Sequence, residues 1–327
     1  TKLLWMTIDR HPDSLKALIR NQLSDAGWEV YEVSYDSLDS LGSVPLESID
    51  AVLLAPARHF PVQYMDRLTS CKLMQIWSSG YDKFNIQDAH KRNIPVANNY
   101  GSNATSVAEH AVMMMLAVSR RVPEMHSRVV SGTWEGNDHG MASSSLYGKT
   151  LGIVGLGNIG RLVAVRAEAF GMNILFADPN VSAEPRQKKW KKVDMDQLFR
   201  DSDIVSLHTH LNQNTRGMVD MLAFSKMKKK PYLVNVSRAE LVERGALMAA
   251  LDTGRIRGIA MDAHYDEPTN GEDPLVKTPS AIFSPHVAGS TKDSYVEMIG
   301  GCITNIARAE EGSAMRGVIP TAKKVVG

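Results

Sequence analysis

The chain has 327 residues, 43% hydrophobic and 22% charged, an ordinary composition for a globular protein long enough to form two domains. Lysine and arginine number 37 against 36 aspartates and glutamates, so the formal net charge of +1 gives no electrostatic reason to expect nucleic acid or a membrane as a partner. The two cysteines, Cys71 and Cys302, are too few for a disulfide framework or a metal site. No apolar run approaches the roughly 18 residues of a membrane span, and the N-terminal run is too short for a signal peptide, so we expect a cytoplasmic protein.

Short apolar segments alternate with helix-like segments through the first hundred residues. The predicted strands cover residues 3–8, 28–33, 51–56, 72–79 and 94–99. Such alternation predicts a parallel sheet covered by helices. The next segment, 102–121, starts polar and continues apolar, which predicts a buried helix bridging two domains. We expect Thr105 or Ser106 to cap this helix and Glu109 to lie in its first turn, where a carboxylate suits the helix dipole.

A second alternating series follows a polar loop at 131–149. Its predicted strands cover residues 150–157, 172–178, 203–211, 232–237, 256–263 and 281–287. The helix-like segment 294–312 leaves too little chain for another domain, so we infer that it returns to the first one. The predicted fold class is α/β, with two Rossmann-like domains built on parallel sheets. A nucleotide-binding domain, 104–292, is inserted into a discontinuous, flavodoxin-like substrate domain, 1–103 plus 293–327.

A glycine-rich turn follows the first strand of the second series. Residues 151–160 read LGIVGLGNIG, which places Gly155, Gly157 and Gly160 in a G-x-G-x-x-G pattern. The first glycine permits the tight turn, the second allows a pyrophosphate to approach the backbone, and the third allows close helix–strand packing. The N–H groups at the start of the following helix then face the anion.

The next predicted strand ends at Asp178, where a carboxylate accepts a hydrogen bond from the adenosine ribose and repels a 2′-phosphate. This acid makes NAD the expected cofactor in preference to NADP. Arg186 and Lys188 follow downstream and are able to weaken that preference.

Three polar residues follow later strands of the same series, where open α/β sheets bind their ligands: Arg238, Glu267 and His286. Taken singly, such an arginine is usually in a surface ion pair, such a glutamate in a loop, and such a histidine structural. Their joint occurrence in a nucleotide-binding domain favours a catalytic group.

Ordered motifs over about residues 50–312 resemble those of the D-isomer-specific 2-hydroxyacid dehydrogenase family. The motifs are SVAEHAVMMML (106–116), GLGNIG (155–160), SDIVSLH (202–208), NVSR (235–238), LVERGALMAALDTGRIRGIAMDAHYDEP (241–268) and SPHVAGST (284–291). The resemblance implies an NAD-dependent oxidoreductase with two domains, a cleft between them, and a homodimer built largely on the nucleotide-binding domain. Its substrate would be a small 2-oxo or 2-hydroxy acid of the D-isomer.

The resemblance also assigns catalytic roles. Arg238 would hold the substrate carboxylate through a bidentate pair and polarise the C2 carbonyl. His286 would donate a proton to the developing alkoxide while NADH delivers hydride, and oxidation would reverse both transfers. Glu267 would orient the imidazole and favour its charged form.

The remaining contacts are implied in the same way. Besides the glycines, Asp178, Arg238 and His286, the cofactor residues would be Asn158, Ile159, Thr209, Val236, Ser237, Asp262, Ala288 and Gly289. Asn158 and Ile159 resemble the pyrophosphate-binding pair, and Asp262 resembles an aspartate on the nicotinamide side. In the first domain, SSGYD (78–82) resembles a loop whose backbone amides hold the substrate carboxylate, which implicates Ser79 and Gly80.

Several positions depart from the family pattern. His210 stands in place of a proline, Ala239 in place of a glycine, and His264-Tyr265 in place of Phe-Glu. None of them removes a catalytic group, but they leave the local backbone and the pocket lining open.

Three alternatives bear on the substrate and the function. Residues 101–114 resemble formate dehydrogenases, but there the histidine's partner is a glutamine and here it is Glu267. Phosphoglycerate dehydrogenases carry an arginine where this chain has Ala55, although Arg58 and His59 are near, so a small unphosphorylated acid is favoured. An NAD(H)-sensing protein resembling a transcriptional corepressor on the same scaffold remains the alternative outside enzymes.

Overall fold

The computed structural model describes residues 1–56, 58–182 and 190–320. Arg186 and Lys188, the basic residues downstream of Asp178, lie outside this part of the chain. The chain divides into two compact units: unit 1 comprises Thr1–Asn103 and Lys292–Gly327, and unit 2 comprises Ala104–Thr291. The second boundary falls one residue earlier than the expected one, where the last helix begins.

The strands and helices of the described residues alternate in both units. The strands are β1 (Lys2–Thr7), β2 (Glu29–Ser34), β3 (Ala51–Leu54), β4 (Leu73–Ile76), β5 (Val96–Ala97), β6 (Thr150–Val154), β7 (Asn173–Ala177), β8 (Lys191–Lys192), β9 (Ile204–Leu207), β10 (Tyr232–Asn235), β11 (Gly258–Met261) and β12 (Ala281–Phe283). The helices are α1 (Asp13–Asp25), α2 (Val62–Met65), α3 (Ile86–Lys91), α4 (Ala104–Arg120), α5 (Val122–Val130), α6 (Gly136–Met141), α7 (Asn158–Ala169), α8 (Met195–Asp201), α9 (Met221–Lys226), α10 (Arg244–Asp252) and α11 (Lys292–Glu310). Short 3-10 helices cover Tyr35–Ser43, Leu46–Ser48 and Ala239–Leu241. None of the described helices is both long enough and apolar enough to cross a membrane.

The described residues of unit 1 form a parallel sheet in the order β2-β1-β3-β4-β5. Its inner strands are near-continuous apolar runs, as expected where helices cover both faces of a parallel sheet. Helix α11 closes one face, because Ile299, Cys302 and Ile306 share a core cluster with Leu3 and Trp5. The helix that begins at residue 292 therefore packs on the sheet built by the first hundred residues.

The described residues of unit 2 form a longer parallel sheet in the order β12-β11-β10-β9-β6-β7-β8. Helices α4 and α7 pack on one face, and α8, α9 and α10 pack on the other. From β6 the chain proceeds outward to β7 and β8 and then returns to β9 on the opposite side of β6. At such a switch point the two connections diverge, which opens a crevice at the carboxyl ends of β6 and β9.

The predicted α/β class with two parallel sheets is confirmed, whereas several local details were wrong. Helix α4 begins at Ala104, so Thr105 and Ser106 lie inside the helix and do not cap it. The Ser106 hydroxyl instead lies 3.1 Å from the hydroxyl of Thr291. Glu109 is beyond the first turn and forms an ion pair with Arg166 at 3.2 Å.

Candidate functional site

The glycine turn after β6 is imposed partly by the packing of unit 2 itself. Gly155 has φ +90°, and a Cβ there would lie 2.8 Å from the carbonyl oxygen of His208, which follows β9. A Cβ at Gly160 would overlap the carbonyl oxygen of Gly155. A side chain at Gly155 would therefore clash with the end of β9, and a side chain at Gly160 would clash with the turn itself. Thr209 follows directly, and its nitrogen would lie 3.1 Å from a Cβ at Gly155.

Gly157 has a different environment. Its backbone conformation (φ −75°) is open to any residue, and a Cβ there would meet no atom within 4 Å. Gly157 is also the N-cap of α7, and no side chain caps that helix end. The first N–H groups of α7, including those of Asn158 and Ile159, therefore face open space. The positive end of the helix dipole lies at the same place. A pyrophosphate fits this position, so the turn suits a dinucleotide.

Asp178 lies beside this turn at the end of β7. Its Oδ2 accepts the Leu156 N–H at 2.8 Å, and its Oδ1 accepts the Asn180 N–H at 2.8 Å. An ionised carboxylate has about four acceptor positions, so Asp178 keeps capacity for a ribose hydroxyl. Burial lowers the pKa of the neighbouring His208 to about 3, so that ring is neutral and adds no positive charge to the turn.

His286 and Glu267 form a direct pair in the loops after β11 and β12. His286 Nδ1 lies 2.6 Å from Glu267 Oε1, which also accepts the His264 N–H at 3.2 Å. An ionised carboxylate only accepts hydrogen bonds, so the proton resides on Nδ1. The other ring nitrogen, Nε2, lies on the far side of a side chain that is 43% exposed. An imidazole nitrogen in that position can give or take a proton near neutral pH.

The backbone at His286 is held by Asp262, which is 1% exposed. His286 has φ +54°, a left-handed conformation that a non-glycine residue adopts only when its surroundings hold it there. The carboxylate of Asp262 accepts the N–H groups of Val287 and Ala288, both at 2.9 Å. Asp262, expected on the nicotinamide side, thus fixes the loop of the histidine through its two oxygens.

Arg238 follows β10, two strands from β12. Asn235, which is 0% exposed, donates from Nδ2 to the Arg238 carbonyl at 2.8 Å and accepts the Ser237 N–H at 3.1 Å. The Ser237 hydroxyl donates to the Leu207 carbonyl at 2.9 Å. The Asn235 carbonyl also accepts the Asp262 N–H at 3.0 Å, which ties the Arg238 turn to the end of β11. Val236, Ser237 and Arg238 therefore lie on one fixed turn at the carboxyl edge.

The departures from the family pattern fit the local packing. His264 Nε2 lies 2.9 Å from the carbonyl oxygen of Ser284, and the Tyr265 hydroxyl donates to the Val242 carbonyl at 2.9 Å. Ala239 is fully buried at the start of a 3-10 helix, in a conformation that needs no glycine. All three side chains are thus accommodated by contacts within unit 2.

In unit 1, Ser79 and Gly80 lie in the loop after β4. The Ser79 hydroxyl lies 3.2 Å from Asn103 Oδ1, and the Ser79 carbonyl accepts Asn98 Nδ2 at 2.7 Å. Within the described part of the chain, neither the Ser79 N–H nor the Gly80 N–H donates a hydrogen bond. Backbone amides, and not the hydroxyl, are thus the donors that this loop offers to an anion. Arg58, after β3, lies 3.9 Å from Asp36.

Sequence reasoning missed three buried or half-buried polar residues around the turn of Arg238 and the loop of His286: His110, Asn235 and Ser284. Asn235 precedes Arg238 by only three positions, and an amide at the end of an otherwise apolar strand was the available signal. No such signal marks His110, which lies in the middle of α4. Among the described residues, no group of three or more histidines, cysteines and acids could hold a metal ion.

Comparison with known proteins shows which family the chain is similar to. Residues 112–288 match the model of the D-isomer specific 2-hydroxyacid dehydrogenase, NAD binding domain. A D-3-phosphoglycerate dehydrogenase of Archaeoglobus fulgidus is 33% identical over 79% of this chain and 50% of its own length. A glyoxylate reductase of Korarchaeum cryptofilum is 34% identical over 83% of this chain and 80% of its own length. The chain thus spans about half the length of the phosphoglycerate dehydrogenases it matches and most of the glyoxylate reductase.

Solved structures give the same result for the fold. The NAD-dependent formate dehydrogenase of Staphylococcus aureus, solved in complex with NAD, has a TM-score of 0.83 and 28% identity. The similarity covers 98% of this chain and all of that one.

Proposed function

Since the chain belongs to the D-isomer specific 2-hydroxyacid dehydrogenase family, with an NAD-binding domain at residues 112–288, we propose that it reduces and oxidises a small 2-oxo/2-hydroxy acid pair with NAD(H) as cofactor. The observation that supports this most is the pair formed by His286 Nδ1 and Glu267 Oε1 at 2.6 Å. It leaves Nε2 of a half-exposed imidazole at the carboxyl edge of a dinucleotide-binding sheet.

In the proposed reduction, His286 donates the Nε2 proton to the oxygen at C2, and Glu267 stabilises the imidazolium before that transfer. When bound, NADH supplies the hydride that reaches C2. In the oxidation, the neutral His286 ring accepts the hydroxyl proton at Nε2, while Nδ1 keeps its own proton and donates it in the hydrogen bond to Glu267. The pair thus serves both directions without a change of tautomer.

Arg238 is proposed to hold the substrate carboxylate and to polarise the carbonyl at C2, because a planar guanidinium donates two parallel hydrogen bonds to one carboxylate. Ser79 and Gly80 are proposed to bind the substrate through their backbone N–H groups. Arg238→Lys keeps the charge but loses the paired donors. We expect it to raise KM and lower kcat, with kcat/KM about 10²-fold lower, as for a lost charge-assisted pair. Steady-state kinetics check this, and a KM equal to that of the parent chain would contradict the proposal that Arg238 binds the substrate carboxylate.

The substrate is proposed to be small and unphosphorylated, such as glyoxylate, hydroxypyruvate or a longer 2-oxo acid. The test is NADH oxidation with a panel of these acids, and NAD reduction with 3-phosphoglycerate and formate, at one pH. Turnover confined to formate would replace the proposal by a formate dehydrogenase. NADH binding without turnover of any member would indicate an NAD(H)-sensing protein.

Selectivity for NAD is proposed to come from the Asp178 carboxylate. Asp178→Ala removes a charge that repels a 2′-phosphate and an acceptor for the ribose hydroxyl. We expect the ratio of kcat/KM with NADH to kcat/KM with NADPH to fall at least about tenfold, which corresponds to 1.4 kcal/mol. Because Leu156 and Asn180 lose an acceptor too, thermal stability is measured in parallel. An unchanged ratio in a stable variant would refute the assignment.

A homodimer formed through unit 2 is also proposed. Helix α5 has nine residues, and none of them is fully buried. Large apolar side chains are exposed on α5, in the following turn and at the end of α6: Val122 (45%), Val129 (57%), Val130 (73%), Trp134 (87%) and Met141 (88%). A second copy of the chain would cover them.

The dimer proposal is tested by one charge on this surface. We expect Val130→Asp to shift the chain from dimer to monomer in sedimentation velocity. Leu222→Asp on α9 is the matched control, because Leu222 is 61% exposed on a different helix, and it should leave the mass unchanged. A parent chain that sediments as a monomer would overturn the proposal.

A further inference from the structure

Ser284, directly after β12, lies at the centre of a partly buried polar network in unit 2. Its hydroxyl oxygen is 2.6 Å from Asp262 Oδ1 and 2.8 Å from Nε2 of His110 on α4. Its carbonyl oxygen is 2.9 Å from His264 Nε2 and accepts the His286 N–H at 2.9 Å. One residue therefore contacts the backbone of His286 and the carboxylate that holds the rest of the loop.

The direction of each hydrogen bond follows from what the groups are able to donate. Asp262 as a carboxylate only accepts, so the Ser284 hydroxyl must donate to it. The Ser284 oxygen then accepts from His110, which fixes the His110 proton on Nε2. A carbonyl also only accepts, so His264 carries its proton on Nε2 as well. The chain of donors thus runs from His110 through Ser284 to Asp262, and Asp262 is the common acceptor.

This network acts on His286 from both sides. Ser284 holds the His286 N–H, and Asp262 holds the N–H groups of the two following residues, Val287 and Ala288. His286 is kept between them at φ +54°, where a non-glycine residue does not remain by itself. Glu267 contacts only the imidazole ring, at Nδ1. The backbone conformation of His286, which sets where the ring starts from, therefore depends on Ser284 and Asp262.

We propose that Ser284 positions His286 through Asp262, and that His110 donates the hydrogen bond that directs the Ser284 hydroxyl toward Asp262. The catalytic consequence rests on the proposed function, since it assumes that His286 transfers the proton. The structural consequence is independent of that function, because the Val287 and Ala288 N–H groups that Asp262 accepts can be followed without turnover.

Four variants separate the hydroxyl and the imidazole from general packing. Ser284→Ala removes the hydroxyl and Ser284→Thr keeps it. His110→Leu removes the donor, while His110→Gln places an amide N–H near the position of Nε2. Ser202→Ala is the matched control, because Ser202 is fully buried in the same unit and donates only to the Leu198 carbonyl. Melting temperatures identify any variant that fails to fold.

The first measurement is amide hydrogen exchange of the peptide over residues 284–291. In Ser284→Ala and His110→Leu we expect the Val287 and Ala288 amides to exchange at least about tenfold faster, with the other strands of the sheet unchanged. Ser284→Thr, His110→Gln and Ser202→Ala should exchange like the parent chain. Unchanged exchange in both Ser284→Ala and His110→Leu, or acceleration spread over the whole unit, would overturn the proposal.

The second measurement uses NADH deuterated at the transferred position. We expect kcat of Ser284→Ala to fall about tenfold, as for one lost hydrogen bond to a charged group. Its deuterium isotope effect should rise, because a misplaced proton donor makes the chemical step limiting. NADH affinity should stay within twofold, and Ser284→Thr should restore both values. A lower kcat with an unchanged isotope effect would indicate loss of folded protein and would contradict positioning.

These outcomes separate this inference from the proposed function. A parent chain inactive on the whole acid panel would refute the function, while the exchange rates would still decide whether Ser284 and His110 hold the loop. An active parent chain with unaltered exchange and isotope effect in Ser284→Ala would refute the inference and leave the function standing.

Discussion

His286→Gln is expected to lower kcat by about 10³-fold, because general acid–base catalysis contributes roughly 10²–10⁴-fold and glutamine exchanges no proton near neutral pH. Glutamine still places a donor near the position of Nε2, so the shape of the loop is largely kept. NADH binding, measured by fluorescence titration, should be unchanged. His90→Gln on α3 of unit 1 is the matched control and should leave kcat unaltered.

Glu267→Gln provides the second half of this test. The neutral amide still lies against Nδ1, but it no longer forms a charge-assisted hydrogen bond with the imidazolium. Such a bond contributes about 1.5–3 kcal/mol, which predicts a loss in kcat of roughly 10–100-fold. The loss should thus be smaller than in His286→Gln. A full rate in His286→Gln, or a larger loss in Glu267→Gln, would show that another residue transfers the proton.

The sequence predicted those parts of the molecule that follow from short-range constraints. The inner strands of both sheets are apolar runs because both faces are covered, and the predicted strands lie within a few residues of the observed ones. The tight backbone contacts expected of Gly155 and Gly160 are present, because a Cβ would meet the His208 carbonyl at Gly155 and the Gly155 carbonyl at Gly160. Glu267 and His286 were assigned to one pair from the family motifs, and their atoms lie 2.6 Å apart.

Other features depend on contacts between segments that are distant in the sequence. Asp262 was assigned to the nicotinamide side, but the backbone conformation of the loop after β12 determines that its oxygens hold Val287 and Ala288. The loop predicted at 131–149 contains α6, a helix of six residues in which glycine and asparagine mask the helical pattern. Strand β8 has two lysines and no apolar signal, so only its pairing with β7 defines it.

Gly157→Asp is expected to weaken NADH binding at least about 100-fold, or 2.7 kcal/mol, without loss of stability. Gly157 has no protein neighbour within 4 Å of a Cβ, so packing in unit 2 does not require a glycine there. Aspartate is among the best N-cap residues, and its carboxylate would cap the first N–H groups of α7. The same carboxylate would occupy and electrostatically repel the position proposed for the pyrophosphate.

The stability of this variant distinguishes a ligand site from a structural turn. If Gly157 served only the fold, Gly157→Asp would lower the melting temperature, as we expect for Gly155→Ala, in which a Cβ at φ +90° meets the His208 carbonyl at 2.8 Å. If it serves the dinucleotide, the melting temperature should stay equal or rise while NADH affinity falls. Gly42→Asp, at another open glycine in unit 1, should change neither. A carboxylate and a pyrophosphate cannot both bind the first N–H groups of α7. Normal NADH affinity in a folded Gly157→Asp variant would therefore show that this turn does not bind the pyrophosphate.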